Sequence, residues 1–556
     1  MENKIPIFFE QLEQTIEVNV GTTLFELFNE VKIDLRFPPI GAYVNNAIED
    51  LQYKIFRPVS LRYFDITHFE GYRIYVRTLS FILKTVLEEL YPDNKLVVYN
   101  SVGCSMYAEL KSKEEFSEEE AENVKSAMQA IIEANIPLRT DILNTQEVLY
   151  LYQKCGYHDK IELVQSRMKL YTKTQFLDRS SGYFYGVLAP STSYVTAFDL
   201  VPMYKGLLVL MADNLSPRNV FHLPQSKKML CIFAQYKQWM DVMGVRNVGT
   251  LNRRVKAGDA SELIKIAEAF QEKLLGNIAD SICEAHKKRG VKVVLISGPS
   301  SSGKTTTSKR LGIQLRILGL HPVLISLDDY FVDREHTPRD ENGKYDFEAL
   351  EALDVKQINE HLKLLFEGES VDIPRYDFIT GTRQWHNNPL RMDESSILIM
   401  EGIHGLNPKL TADVDDNLKF KIYVSCLTDI AMDDTTYVSN FDNRLLRRIT
   451  RDYATRGYDA SATLAMWGSV RRGEEKHIFP YRENADVIFN SSLFYEISVL
   501  KPFVTPILRE VPDSLPEYGE AKRLLDFLDN FTAIDPGEIP PTSILREFIG
   551  GSSFKY

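Results

Sequence analysis

Gly298-Pro-Ser-Ser-Ser-Gly303-Lys304-Thr305 constrains this chain more than any other stretch. It fills the pattern G-x-x-x-x-G-K-[ST] in full, after the largely apolar run Val291–Ile296 and before a helix-forming run from Lys304 to about Leu318. The chemistry explains the spacing. Glycines let the backbone wrap a chain of phosphates, and inward-pointing N–H groups at a helix N-terminus make an anion nest. In such a loop Gly298, Ser300, Ser301, Ser302, Gly303, Lys304, Thr305 and Thr306 bind the triphosphate of ATP. Lys304 reaches the β- and γ-phosphates, and Thr305 offers its hydroxyl to Mg²⁺.

A strand–loop–helix of this kind belongs in a parallel α/β sheet. Residues 290–505 supply the rest of one by alternating strand and helix patterns. The expected strands are Lys292–Ser297, Pro322–Ser326, Ser396–Met400, Phe420–Val424 and Asp486–Phe489. In such sheets ligands gather at the carboxyl ends of strands. Glu401 ends the run Ser396-Ile-Leu-Ile-Met and is the candidate second metal group, with a role-free strand-end glutamate as the alternative. Asp328, after Pro322–Ser326, is the candidate to take the acceptor hydroxyl's proton; a Mg²⁺-water ligand, or a helix cap by Asp329, stays open. Arg444, Arg447, Arg448, Arg451 and Arg456 lie within thirteen residues, and the first four share a helical face. Cations on a mobile lid suit phosphoryl transfer. Nucleic-acid binding is the rival, but interleaved aromatics and a basic surplus are missing.

Length and composition set the frame. The 556 residues suggest three or four domains of ~150 residues. A net charge of −12 argues against a general nucleic-acid binder. Five scattered cysteines, never spaced C-x-x-C, give no disulfide framework or zinc site and suit a reducing compartment. No signal-peptide pattern or 18-residue apolar run appears, so the expectation is a cytoplasmic protein without a membrane span.

Ahead of the kinase-like part, residues 1–66 read as strand–strand–helix–strand–strand, with Thr22 or Thr23 capping the helix. Residues 67–215 read as a second α+β unit, with a helix from about Arg77 to Tyr91 and a capping box at Ser117-Glu-Glu-Glu120. Residues 216–289 read as a helical connector and 506–556 as a helical tail in which Ser543 caps a last short helix.

The kinase motifs together resemble the uridine–cytidine kinase branch of the phosphoribulokinase/uridine kinase group. The resemblance runs through Leu327-Asp-Asp-Tyr-Phe331, Tyr345–Asp354, Ile373-Pro-Arg-Tyr-Asp-Phe378, Met400-Glu-Gly-Ile403 and Arg447-Arg-Ile-Thr-Arg-Asp452. It implies an ATP- and Mg²⁺-dependent phosphotransferase with an alcohol acceptor, the 5′-hydroxyl of a nucleoside such as uridine or cytidine. In it Asp328 looks like the catalytic aspartate, and Phe331, Phe347 and Tyr376 look like walls of the nucleoside pocket. Glu348 stands where the family holds the ribose, Arg448 looks like a ribose- or phosphate-contacting arginine, and Arg451 and Arg456 look like lid arginines. Three base-reading positions depart from the pattern: Gly381 replaces a histidine, Tyr458 an arginine and Met466 a glutamine, with His386 or His404 as compensating candidates. That leaves open another small hydroxyl acceptor, such as a sugar phosphate or a pantothenate-like compound. The resemblance also points to a homo-oligomer.

Residues 1–66 resemble the β-grasp TGS module, and 67–215 resemble the second additional (editing) domain of threonyl-tRNA synthetase. Its H-x-x-x-H helix is Arg77-Thr-Leu-Ser-Phe81 here, and its later C-x-x-x-H falls in Asp199-Leu-Val-Pro-Met-Tyr204 without cysteine or histidine. The implied metal site is lost, leaving a regulatory, binding or scaffolding role, with RNA-linked regulation as the lesser alternative.

Overall fold

The computed structural model describes residues 4–99, 105–221, 227–339, 343–378, 380–385, 387 and 389–556. His386 lies outside them.

The chain begins with a mixed five-stranded sheet, in spatial order Gln14–Asn19, Lys4–Phe9, Val59–Phe64, Gly41–Val44 and Ala47–Glu49. Helix Leu24–Glu30 is started by Thr23, whose hydroxyl accepts from the Glu26 N–H in a reciprocal capping box. Ala47–Glu49 is a strand that composition did not signal: Asn45 and Asn46, both at positive φ, make the hairpin turn that folds it onto Gly41–Val44.

The next helix, Phe69–Leu90, starts eight residues before the expected Arg77. Its cap is unconventional: the His68 ring nitrogen accepts from the Glu70 N–H. The helix packs against an antiparallel sheet ordered Phe198–Met203, Gly206–Met211, Ser105–Leu110 and Leu96–Tyr99, with Glu118–Glu133 alongside. Arg77 and Phe81 face this interior. Arg77 donates from Nε to the Val187 carbonyl at 2.9 Å, and Phe81 is fully buried 5.3 Å from the Phe184 ring. Helices Lys227–Met243, Val248–Lys256 and Ala260–Arg289 follow.

The last sheet positions the site. Its five strands, β1 (Val293–Ser297), β2 (His321–Ser326), β3 (Ser396–Glu401), β4 (Lys419–Ser425) and β5 (Val487–Asn490), are all parallel and lie in the order β2-β3-β1-β4-β5. They match the expected strands to within about a residue because both faces are covered, which demands continuous apolar runs. Val294 and Ile296 of β1 join the core formed with helices Ala260–Arg289 and Glu496–Arg509. Val293 and Leu295 face the opposite core with helix Val355–Phe366. The order reverses beside β1, which opens a crevice at the strands' carboxyl ends.

Candidate active site

Strand register brings the acidic groups to the loop. Ile296 of β1 pairs with Glu401 of β3, and Glu401 pairs with Ser326 of β2, so the three strands end at one level. The phosphate-type loop follows β1, and Asp328 lies two residues past Ser326. At Gly298 the loop presses on β4: a Cβ there would sit 2.0 Å from the Val424 carbonyl oxygen, so no other residue fits. Ser301 takes a left-handed φ of 59°, which turns the loop into helix Lys304–Ile317.

Within the cleft the Thr305 hydroxyl donates to Glu401 Oε1 at 2.8 Å, and Lys304 Nζ donates to the Pro299 carbonyl at 3.3 Å. Burial pushes the Glu401 carboxyl up to about 7, against the pull of Lys304 and with the push of Asp328. Asp328 opens to the cleft, yet its walls crowd close enough that lost hydration raises its pKa, while Lys304, Arg456 and Arg451 oppose the rise. A hydroxyl and a carboxylate side by side form a hard-oxygen donor set that fits Mg²⁺.

The loop is held from behind by two arginines of the cluster and by two carboxylates, Glu474 and Glu496, that no motif singled out. Glu474, fully buried on helix Ala460–His477, accepts from the Ser300 N–H at 3.1 Å and from both terminal nitrogens of Arg444 at 2.5 and 2.6 Å. Arg444 in turn donates to the Ser300 carbonyl at 3.2 Å. Arg447 pairs with buried Glu496 at 2.5 Å and donates to the Ser301 carbonyl at 3.4 Å. Arg444 and Arg447 therefore brace the loop from the interior, which corrects their assignment to a mobile cationic lid. Arg448 donates to the Ser300 hydroxyl at 2.8 Å. It shares Asp452, which is buried, with Arg451 and Arg456, at 3.2, 2.8 and 3.6 Å respectively. Of these arginines Arg456 is the most open, with its side chain half exposed.

Beside Asp328 lies an aromatic wall. Phe331 sits 5.5 Å from the Tyr376 ring, 6.2 Å from Phe347 and 6.0 Å from Phe378. Phe331 and Tyr376 are buried, whereas Phe347 and Phe378 are exposed. Glu348 adjoins them; burial, then the nearby charge of Glu474, pushes its carboxyl up to about 7. Gly381 stands at φ 73°, and a Cβ there would fall 2.7 Å from Arg334 Nε. That space is filled by the Arg334 guanidinium, which donates to the Phe378 carbonyl at 2.6 Å. Tyr458 is exposed and Met466 half-buried. His404 is buried 5.9 Å from the His477 ring, and burial holds its pKa down to about 4.

Among the described residues no helix is long and apolar enough to cross a membrane. The sequence model of the phosphoribulokinase/uridine kinase family matches residues 293–497. Uridine kinases of Staphylococcus aureus strains JH9 and Newman are each 30% identical over 201 residues, which cover 36% of this chain and 87% of theirs. A solved Bacillus stearothermophilus structure described as "a Possible Uridine Kinase" is 23% identical, covers 38% of this chain and 97% of its own, and has a TM-score of 0.26. D-glycerate 3-kinase from Cryptococcus neoformans is 14% identical, with 46% and 87% covered and a TM-score of 0.21. On the strength of the Staphylococcus aureus relatives, most of whose length is matched at this identity, the chain belongs to the phosphoribulokinase/uridine kinase family.

Proposed function

We propose that the protein transfers the γ-phosphoryl group of ATP to the 5′-hydroxyl of a nucleoside, with uridine and cytidine the first candidates. The observation that carries this reading is the convergence of Lys304, the Thr305–Glu401 pair and Asp328 at one end of the sheet, beside the wall of Phe331, Phe347 and Tyr376. In the proposed reaction the loop N–H groups and Lys304 hold the triphosphate, and Thr305 and Glu401 hold Mg²⁺. Bound between Thr305 and Glu401, Mg²⁺ would supply neutralisation of the charge that develops during the transfer. Asp328 takes the proton of the acceptor hydroxyl while its oxygen attacks the γ-phosphorus and ADP leaves; a raised carboxylate pKa suits a proton acceptor. Glu348 orients the sugar, and Arg448, Arg451 and Arg456 steady the transferring group.

A second reading, phosphorylation of another small hydroxyl compound such as a sugar phosphate or a pantothenate-like acid, is favoured by Arg334. Its guanidinium fills the space beside Gly381, and a cation there suits an anionic or carbonyl-bearing acceptor. For the front half we propose TGS-like and editing-like modules with a regulatory, binding or scaffolding role; the burial of Phe81 and the bond that ties Arg77 to the Val187 carbonyl support loss of the metal chemistry.

The deciding experiment is a coupled ADP-release assay with Mg-ATP and a panel of nucleosides and anionic alcohols, each product checked by mass. A nucleoside 5′-monophosphate supports the first reading. Consumption of another acceptor alone moves the assignment to the second. Near wild-type turnover in both Lys304→Ala and Asp328→Asn would overturn the active site itself.

A further inference from the structure

The segment Pro540–Tyr556 lies far from the loop in sequence and directly against it in space. The Thr306 hydroxyl, on the first turn of the loop's helix, donates to Glu547 Oε2 at 2.5 Å and shares a second hydrogen bond of 2.9 Å with the Tyr556 hydroxyl. Ile544 packs on the loop so tightly that a Cβ on Gly303 would fall 2.9 Å from its Cγ2. Phe548 lies under the Arg447 guanidinium at 5.0 Å. Ser543 anchors the approach, donating to Glu268 and accepting from the Leu545 N–H. Glu547 thus holds an anion on the turn whose free N–H groups and dipole attract phosphate.

We propose that this segment is a built-in competitor of the phosphate donor: Glu547 occupies the Thr306 hydroxyl, and a bound nucleoside triphosphate must displace it. The inference rests on the reading of Gly298–Thr306 as the triphosphate site. A carboxylate beside Thr306 repels incoming phosphates while the segment is docked. Donor binding then requires Glu547 and Tyr556 to release Thr306, while Ile544, Leu545 and Phe548, buried in the core, keep the strap attached. The device sets donor affinity through a local exchange of partners on one hydroxyl.

The test is Mg-ATP binding by titration calorimetry to the full chain and to Glu547→Gln, Glu547→Ala, Tyr556→Phe and Lys304→Ala. Glutamine keeps the shape and the hydrogen bond but removes the charge. We expect Kd to fall about tenfold in both Glu547 variants, the size carried by a hydrogen bond to a charged group. Tyr556→Phe should tighten binding by less, and Lys304→Ala should weaken it. Melting temperatures establish that each variant folds. An unchanged or raised Kd in both Glu547 variants, with binding still dependent on Lys304, overturns the strap and leaves the triphosphate site standing. Absence of binding in the wild type and in both Glu547 variants overturns both.

Discussion

Glu474→Ala isolates how much of the phosphate-type loop is held by one buried carboxylate. The wild-type group is fully buried, makes two short bonds to Arg444 and accepts from the Ser300 N–H. Deleting it leaves the Arg444 guanidinium, itself almost fully buried, without its counter-ion. Breaking a buried pair from one side costs about 3–5 kcal/mol, because the remaining charge is neither paired nor hydrated. For a unit of this size each kcal/mol shifts Tm by about 2–4 °C, so the kinase part should melt about 6–20 °C lower. The loop amide at Ser300 also loses a charge-assisted bond, which should appear as faster hydrogen exchange across residues 298–306. Arg444→Met combined with Glu474→Leu supplies the contrast: removing both charges together should restore most of the stability but not the loop's protection. Exchange followed by mass spectrometry, with a thermal melt of the same samples, measures both effects. If Glu474→Ala melts within about 2 °C of wild type and the loop stays protected, the bracing argument is wrong.

Three further expectations follow from the same geometry. Asp328→Asn should lower turnover by about 10²–10⁴-fold with Kd for Mg-ATP little changed, read by initial rates and calorimetry. Glu348 carries a carboxyl near 7 in the fold against 4.5 in the unfolded chain. The native state therefore binds more protons between those values, and stability should fall as pH rises from about 4.5 through about 7. Glu348→Gln should flatten that slope in urea midpoints measured without metal; an unchanged slope would refute the assignment. Gly381→His should not rebuild a base-reading site. The residue would be forced to φ 73° with its Cβ against Arg334, costing about 1–3 kcal/mol, measurable as a lower urea midpoint and a higher acceptor KM.

Local pattern made much of this legible. A buried parallel strand needs an unbroken apolar run, so β1 to β5 stood out, and the glycines, Lys304 and Thr305 sit at fixed offsets after the first of them. Glu401 and Asp328 were visible because each ends or follows such a run. What sequence could not show is what arrives from elsewhere. Arg444, Arg447, Arg448 and Arg451 do share one helical stripe, but a stripe reveals only its own cations. Glu474 and Glu496 meet two of them across 30 and 49 residues and turn them into internal braces. Asp452 lay inside a recognised run, yet its role as the shared anion of three arginines depends on side-chain directions that spacing leaves undetermined. Glu547 reaches Thr306 across 241 residues, and no periodicity encodes that meeting. The early start of Phe69–Leu90 was hidden because a histidine is a rare cap.

The front half is tied to this machinery at a place that limits how the site can move. Arg73, on helix Phe69–Leu90, bonds Glu70 at 2.6 Å, Glu520 at 2.9 Å and Asp442 at 2.9 Å. Asp442 also receives Arg523 at 2.8 Å and is itself buried. It sits in the first turn of helix Asn440–Thr455, which carries Arg448 and Arg451. Nearby, the guanidinium groups of Arg73 and Arg471 both lie over the Phe69 ring, at 3.9 and 4.5 Å from its centroid. Lys160 makes a separate buried pair with Asp433 at 2.8 Å. Swinging the start of the arginine helix would strand several of these charges at once, at a cost of about 3–5 kcal/mol for each pair broken. Any rearrangement on the proposed donor binding should therefore be confined to the helix's far end. There Asp452 holds Arg456 at 3.6 Å, and Arg456-Gly457-Tyr458 form an exposed turn with no comparable anchor among the described residues. Under the proposed function the front half would serve to fix the start of that helix, so Arg73→Ala should alter the placement of Arg448 and Arg451 although Arg73 touches neither, which is read as a raised Kd for Mg-ATP.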